Sequence, residues 1–213
     1  MKRCIYFLFF YFALSVGFAQ DSLLYDSREY IALGFKAGLN VSDMYDCNRE
    51  DFESKAKTGF AAGLFVALPI GKYLGIQPEV VYSQRGFRGS GAFQMHEYDL
   101  DRTLSYLDFP LLAALKPTEG ISILFGPQYS FLINQHDSFS NSNLTSDEEE
   151  IFKTDNIKKH AFCLTGGLDF NLQNIVLGLR TGWDLTNNKT DRASETPCYK
   201  NIWLQGTVGF RVY

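Results

Sequence analysis

The 213-residue sequence is poor in several residue types and patterns, and each scarcity excludes a class of protein. Only 6 prolines accompany 18 glycines, which excludes collagen-like chains. A formal net charge of −4 gives no general electrostatic reason to bind nucleic acid. No segment reaches the ~18 uninterrupted apolar residues that indicate a transmembrane helix. If the mature chain spans a membrane, it therefore has to form a closed β-barrel.

Residues that carry out catalysis or bind metals are also scarce. The 3 histidines, His96, His136 and His160, share no metal-ligand spacing. Nucleophile elbows, phosphate loops and paired zinc cysteines do not occur. A set of His96, Asp99 and Ser105 could be drawn as an acyl-transfer triad, but polar loops supply such sets by chance. The sequence therefore predicts a non-enzymatic protein without a cofactor or metal.

The amino terminus has the order of a secretory signal peptide. Lys2 and Arg3 precede an apolar run over residues 5–18, and small residues lead to Ala19. This charged, hydrophobic and small-residue order predicts export, with cleavage after Ala19. The predicted organisation is a signal peptide over residues 1–19, a leader over 20–29 and a barrel domain over 30–213.

Apolar residues alternate with small or polar residues throughout the remaining chain. In residues 30–41, for example, Leu33 and Phe35 fall on one face, whereas Gly34 and Lys36 fall on the other. A period of two predicts β-strands. Ten or more residues per strand matches a tilted bilayer crossing of ~9–11 residues. The eight predicted strands cover residues 30–41, about 58–68, 73–85, 104–116, 121–134, 159–172, 175–185 and 201–213.

The connections between the predicted strands alternate in length. Short links at 69–72, 117–120 and 173–174 are interleaved with long polar segments, and short turns on one side are typical of outer-membrane barrels. The long segments cover roughly residues 42–57, 86–103, 135–158 and 186–200. The sequence thus predicts an all-β protein, a single eight-stranded antiparallel up-and-down transmembrane barrel with short periplasmic turns and long extracellular loops, in the outer membrane.

The two faces of the predicted strands differ in charge. One face carries large apolar side chains, and the other carries glycine, alanine and charges of both signs. Because an unpaired Arg or Lys costs about 2–4 kcal/mol at the bilayer midplane, the charged face is predicted to line the lumen. Aromatics near strand ends, including Tyr106 and Trp203, are predicted to form interfacial girdles. The predicted lumen charge network consists of Lys36, Glu79, Arg85, Asp108, Asp169, Arg180, Asp184 and Arg211.

Three cysteines remain after the predicted cleavage site. Barrel closure places the first strand beside the last, so the loops that contain Cys47 and Cys198 are neighbours. We therefore predict a disulfide between Cys47 and Cys198 across the closure seam. Cys163 falls on the inward face and is predicted to be a buried free thiol.

Several stretches of the chain resemble the PorT-like outer-membrane β-barrel family of Bacteroidetes. They include GFKAGLN at residues 34–40, QPEVVYS at 77–83 and YLDFPLL at 106–112. The resemblance covers about residues 30–213 and implies an eight-stranded barrel in the outer membrane. It implies no activity, although the namesake of the family takes part in protein secretion.

These observations favour a non-enzymatic outer-membrane barrel with a structural or interaction role at the cell surface, or an accessory role in secretion. Its expected surroundings are outer-membrane lipid and lipopolysaccharide, with protein partners at the extracellular loops or periplasmic turns. Two alternatives stay open. One is a narrow pore, or a proton or ion path through the lumen. The other is a lipocalin-like barrel that binds a small ligand inside an apolar cavity.

Overall fold

A computed structural model describes residues 26–46, 53–93, 96–140, 158–186 and 199–213. The predicted signal peptide, Cys47 and Cys198 lie outside these residues. Within them, no helix is long and apolar enough to cross a membrane.

Eight antiparallel strands form one closed barrel, which confirms the predicted fold class. Each strand pairs with the next, and β1 closes the sheet by pairing with β8. A short 3-10 turn, Ser27–Glu29, precedes β1. The strands are β1 (Ala32–Asp46), β2 (Glu53–Pro69), β3 (Leu74–Phe93), β4 (His96–Thr118), β5 (Ile121–Ser140), β6 (His160–Leu172), β7 (Ile175–Asp184) and β8 (Tyr199–Val212).

Sequence alternation becomes an inside and an outside in every strand. In β7, Leu177 and Leu179 point outward and are 39% and 45% exposed, whereas Val176 and Arg180 point inward and are 5% and 2% exposed. The outer surface is therefore a continuous apolar band, and the interior collects most of the buried polar residues. This polarity is the reverse of a lipocalin-like barrel and suits a surface in contact with lipid.

The predicted loop at residues 86–103 is wrong, and the predicted loops at 42–57 and 135–158 are partly strand, because β1 extends to Asp46, β2 begins at Glu53 and β5 extends to Ser140. Residues 86–103 were expected to form a long polar connection, but β3 continues to Phe93 and β4 begins at His96. The two strands stay paired up to Phe93 opposite His96. The ladder needs only backbone hydrogen bonds, so beyond the bilayer a strand no longer needs an apolar outer face. Its sequence then resembles that of a loop.

The strand extensions are concentrated on one side of the barrel. Strand β4 has 23 residues and β7 has 10, a difference of about 40 Å of strand at ~3.3 Å per residue. We call the extended parts of β2 to β5 the wall. The end of the barrel opposite the wall is called the short-turn end. It contains the turns at 70–73, 119–120 and 173–174. Both Ala32 and Val212 lie there.

A charge on the outer band is expected to destabilise the barrel according to its depth. Leu179→Arg, in the middle of the shortest strand, should cost about 2–4 kcal/mol, whereas Leu185→Arg near the strand end should cost about 0–1 kcal/mol. Both leucines are exposed, at 45% and 58%. Urea unfolding in lipid or detergent, followed by the mobility difference between unboiled and boiled samples on SDS gels, measures both costs. Equal costs would contradict the transmembrane assignment of this band.

Candidate functional site: the charged lumen

The structure places the eight predicted charged residues on the inner face, in three groups. We call Lys36, Glu79, Asp169 and Arg180 the lower cluster, and Arg85, Asp108 and Asp184 the upper cluster. None of these seven side chains is more than 6% exposed. Arg211 does not join them, because it lies at the short-turn end and donates to Asn171 and the Gln173 carbonyl.

The lower cluster is a chain of alternating charges across the barrel. Arg180 binds Asp169 with two hydrogen bonds of 2.7 and 2.8 Å and lies 3.6 Å from a Glu79 oxygen. Lys36 forms an ion pair with the other Glu79 oxygen. The Gln77 amide adds a hydrogen bond of 2.9 Å to Glu79. Two cations and two carboxylates give this cluster a formal charge of zero.

The upper cluster has two carboxylates for one guanidinium. Arg85 Nη2 donates to Asp108 at 2.6 Å, and its Nη1 lies 3.8 Å from Asp184. Neutral donors compensate at Asp184: the Asn201 amide donates at 2.7 Å and the Cys163 thiol at 2.9 Å. Cys163 is 1% exposed and free, as the alternation of β6 predicts.

Two aromatic rings hold Arg85 across the lumen. Its guanidinium lies 5.0 Å from the Tyr106 ring centre and 4.9 Å from the Trp203 ring centre, within cation–π range. At Gly182 a Cβ would lie 2.3 Å from the Trp203 ring, so a larger residue would force the indole to shift. The expectation that Tyr106 and Trp203 belong to interfacial girdles is wrong. Both fall on the inward face by alternation, which is the signal that could have placed them.

The space left inside the barrel is small. A cavity of about 10 Å³ between the clusters is lined by Asp108, Arg180 and Trp203, among others. Each of these residues has a buried polar atom without a protein hydrogen-bond partner: Oδ1, Nε and Nε1 respectively. The cavity has the volume for about one water molecule. A second cavity, of about 20 Å³, lies at the short-turn end.

The described residues do not assemble a catalytic or metal site of the kinds that the sequence could offer. No group of three or more His, Cys, Asp or Glu side chains among them could hold a metal ion. His96 and Ser105 are nine residues apart on β4, which is about 30 Å along a strand. The set of His96, Asp99 and Ser105 is therefore not brought together.

A small closed barrel with an apolar outer band and ion pairs inside defines a transmembrane β-barrel of the outer-membrane type. The chain belongs to the family of outer membrane protein beta-barrel domains, whose model matches residues 18–189. The protein is therefore an outer-membrane barrel.

Solved structures with a similar fold include Ail of Yersinia pestis, with 14% identity, a TM-score of 0.45, and 85% of this chain and 99% of that chain covered. OprG of Pseudomonas aeruginosa gives 11% identity and a TM-score of 0.48, with 88% and 99% covered. Neisserial surface protein A gives 11% identity and a TM-score of 0.48, with 84% and 97% covered. No curated protein sequence matches the chain significantly.

Removal of Arg85 is expected to destabilise the barrel strongly, because it leaves two buried carboxylates without their cation. Arg85→Met should cost about 3–5 kcal/mol. Arg88→Met on the same strand is the matched control: Arg88 is 66% exposed in its pair with Asp101, and such pairs contribute about 0–1 kcal/mol. Urea unfolding measures both costs. Recovery of stability in Arg85→Met/Asp108→Asn/Asp184→Asn would identify charge imbalance as the cause, and equal costs at Arg85 and Arg88 would contradict it.

Proposed function

We propose that the protein is a non-enzymatic, non-conducting outer-membrane barrel that works through its two exposed ends. The observation that carries this proposal is the layer of Tyr106, Arg85 and Trp203, whose residues are 2–4% exposed and together cross the lumen. A solute would have to separate a buried guanidinium from two aromatic rings and from Asp108. The cavity beside this layer, of about 10 Å³, admits about one water molecule.

The proposed orientation places the short-turn end in the periplasm and the wall outside the cell, as in other outer-membrane barrels. The wall has its own polar contacts: Lys57 forms an ion pair with Asp101 and donates to Thr103 at 2.6 Å, and Arg88 donates to Asp101 at 3.0 Å. The sequence between β5 and β6 contains four consecutive acidic residues, at 147–150, which add negative charge. An extended and acidic surface supports a role in contacts with extracellular or neighbouring surface molecules.

We also propose that the barrel is PorT-like and that a signal peptide directs its export. The stretches that resemble PorT-like proteins lie in β1, β3 and β4, where they supply Lys36, Glu79 and Asp108 of the lumen. Residues 1–19 are proposed as the signal peptide that directs the chain to the outer membrane. An accessory role in protein secretion would use the short-turn end.

We also propose the Cys47–Cys198 disulfide as a covalent tie at the closure seam. The described ladder between β1 and β8 ends with Asp46 opposite Tyr199. Cys47 follows Asp46 and Cys198 precedes Tyr199 in the sequence, so the same register would set them opposite each other. Residues directly opposite in an antiparallel pair have Cβ atoms about 4.5–5.5 Å apart, close to the ~3.5–4.5 Å of a disulfide.

Mass mapping of the exported protein without reduction tests the disulfide. A cross-linked peptide containing Cys47 and Cys198 is expected, with Cys163 unmodified until the barrel is unfolded. Cys163→Ser is the matched control and should leave the cross-link intact. If Cys47 and Cys198 both react with a thiol reagent in the folded protein, the disulfide does not form.

Planar lipid bilayers test the closed lumen. The wild-type barrel should show no steady single-channel currents in 1 M KCl. This high salt concentration, at which the Debye length is about 3 Å, favours the detection of small currents. Tyr106→Ala/Trp203→Ala removes both rings around Arg85 and should produce small currents. Phe109→Ala/Trp183→Ala, which removes two outward aromatics, is the control and should stay silent. Steady currents from the wild type would favour the narrow-pore alternative instead.

A further inference from the structure

The cavity at the short-turn end contains two cations that have no carboxylate partner among the described residues. Lys116 and Arg211 both line it. Lys116 is only 7% exposed, and its Nζ donates to the Arg28 backbone carbonyl at 3.3 Å. Arg211 donates to the Gln173 carbonyl at 3.1 Å and to the Asn171 side-chain oxygen at 2.9 Å. All of these acceptors are neutral.

This arrangement differs from that of the cations in the two clusters. Lys36 is paired with Glu79, Arg85 with Asp108 and Arg180 with Asp169. A mostly buried charge without a counter-charge is unfavourable, and two like charges around one cavity add to that cost. The positive electrostatic potential of the two cations therefore favours the binding of a negative group in the cavity.

The acidic residues around the cavity are engaged elsewhere or exposed. Asp169 is bound by Arg180. Asp26 is bound by Arg28 at 2.7 Å and by Lys72 at 3.0 Å, and the Arg28 hydrogen bond holds the pKa of the Asp26 carboxyl well below its usual range. Glu119 is exposed at the rim. None of these carboxylates forms an ion pair with Lys116 or Arg211.

A hydroxyl group completes the set of donors. Ser122 is 6% exposed and lines the same cavity. Its oxygen accepts a hydrogen bond of 3.0 Å from the Asn171 amide, so its own hydrogen is available to donate. An ammonium, a guanidinium and a hydroxyl around one cavity form the donor set that carboxylate and phosphate oxygens prefer.

We propose that this cavity binds a small oxyanion, a carboxylate or a phosphate group, between Lys116 and Arg211, with Ser122 as a third donor. The cavity is small, about 20 Å³, so we expect a ligand that presents a single such group. In the proposed orientation the anion enters from the periplasm. The site is separate from the layer of Tyr106, Arg85 and Trp203. Failure of this proposal would therefore leave the proposed non-conducting role unchanged, and the reverse also holds.

Isothermal titration calorimetry on the folded barrel in a neutral detergent tests the proposal. Inorganic phosphate and acetate are titrated separately at constant ionic strength, with sodium chloride as the reference salt. Saturable one-to-one binding of at least one of them is expected, and the tighter of the two names the ligand class. Lys116→Gln and Arg211→Gln should each raise the Kd about tenfold or more, because each removes a charged donor.

Lys72→Gln is the matched control, because Lys72 lies at the same end of the barrel but is exposed and paired with Asp26. It should change the Kd less than about twofold, as expected for a screened surface charge. Equal weakening by all three variants would overturn the site in favour of general surface electrostatics. Absence of saturable binding by the wild type would overturn it as well. If Lys116→Gln does not fold, Arg211→Gln gives the same decision, because Arg211 is less buried.

Discussion

The requirement that every backbone amide and carbonyl in lipid find a partner within the protein governs the whole structure. An open sheet would leave the backbone groups of two edge strands unpaired in hydrocarbon. The pairing of β1 with β8 is therefore required for the barrel to be stable in the membrane. Closure with eight strands then leaves an interior that side chains fill. Because lipid takes the apolar face of each strand, the charged face has only this narrow interior, and the charges of the two clusters are paired with opposite charges.

The neutralisation explains why one particular layer of the lumen is filled. Arg85 has two carboxylates within 4 Å and an aromatic ring on either side, so its guanidinium is held by electrostatics in two directions and by ring faces in the others. Gly182 allows the Trp203 ring to approach the sheet. The filled layer thus depends on a small residue on β7 as much as on the large residues that face it.

Period-two alternation made the fold and the two faces predictable, since in a barrel it is the direct consequence of lipid outside and a filled lumen inside. It also placed the eight charged residues on the inward face and marked Cys163 as buried. The partners of Arg85 were not predictable, because the stagger between strands decides whether Asp108 or Asp184 is nearer. The wall was not predicted, because paired strands outside the bilayer need no apolar face. Lys116 was not predicted as a site residue, because it was counted with its strand and not with the charged residues of the lumen.

Charge is distributed unevenly along the barrel axis, and the unevenness bears on transport. The upper cluster has an excess carboxylate, the lower cluster is neutral, and Lys116 and Arg211 give the short-turn end an excess of cations. A cation that entered from the short-turn end would meet like charge at Lys116 and Arg211. Deeper in the barrel, the cations of both clusters are already bound by carboxylates. Because opposite charges bind one another there, the lumen has no continuous row of free charge of one sign in these clusters, which supports the proposal of a closed barrel.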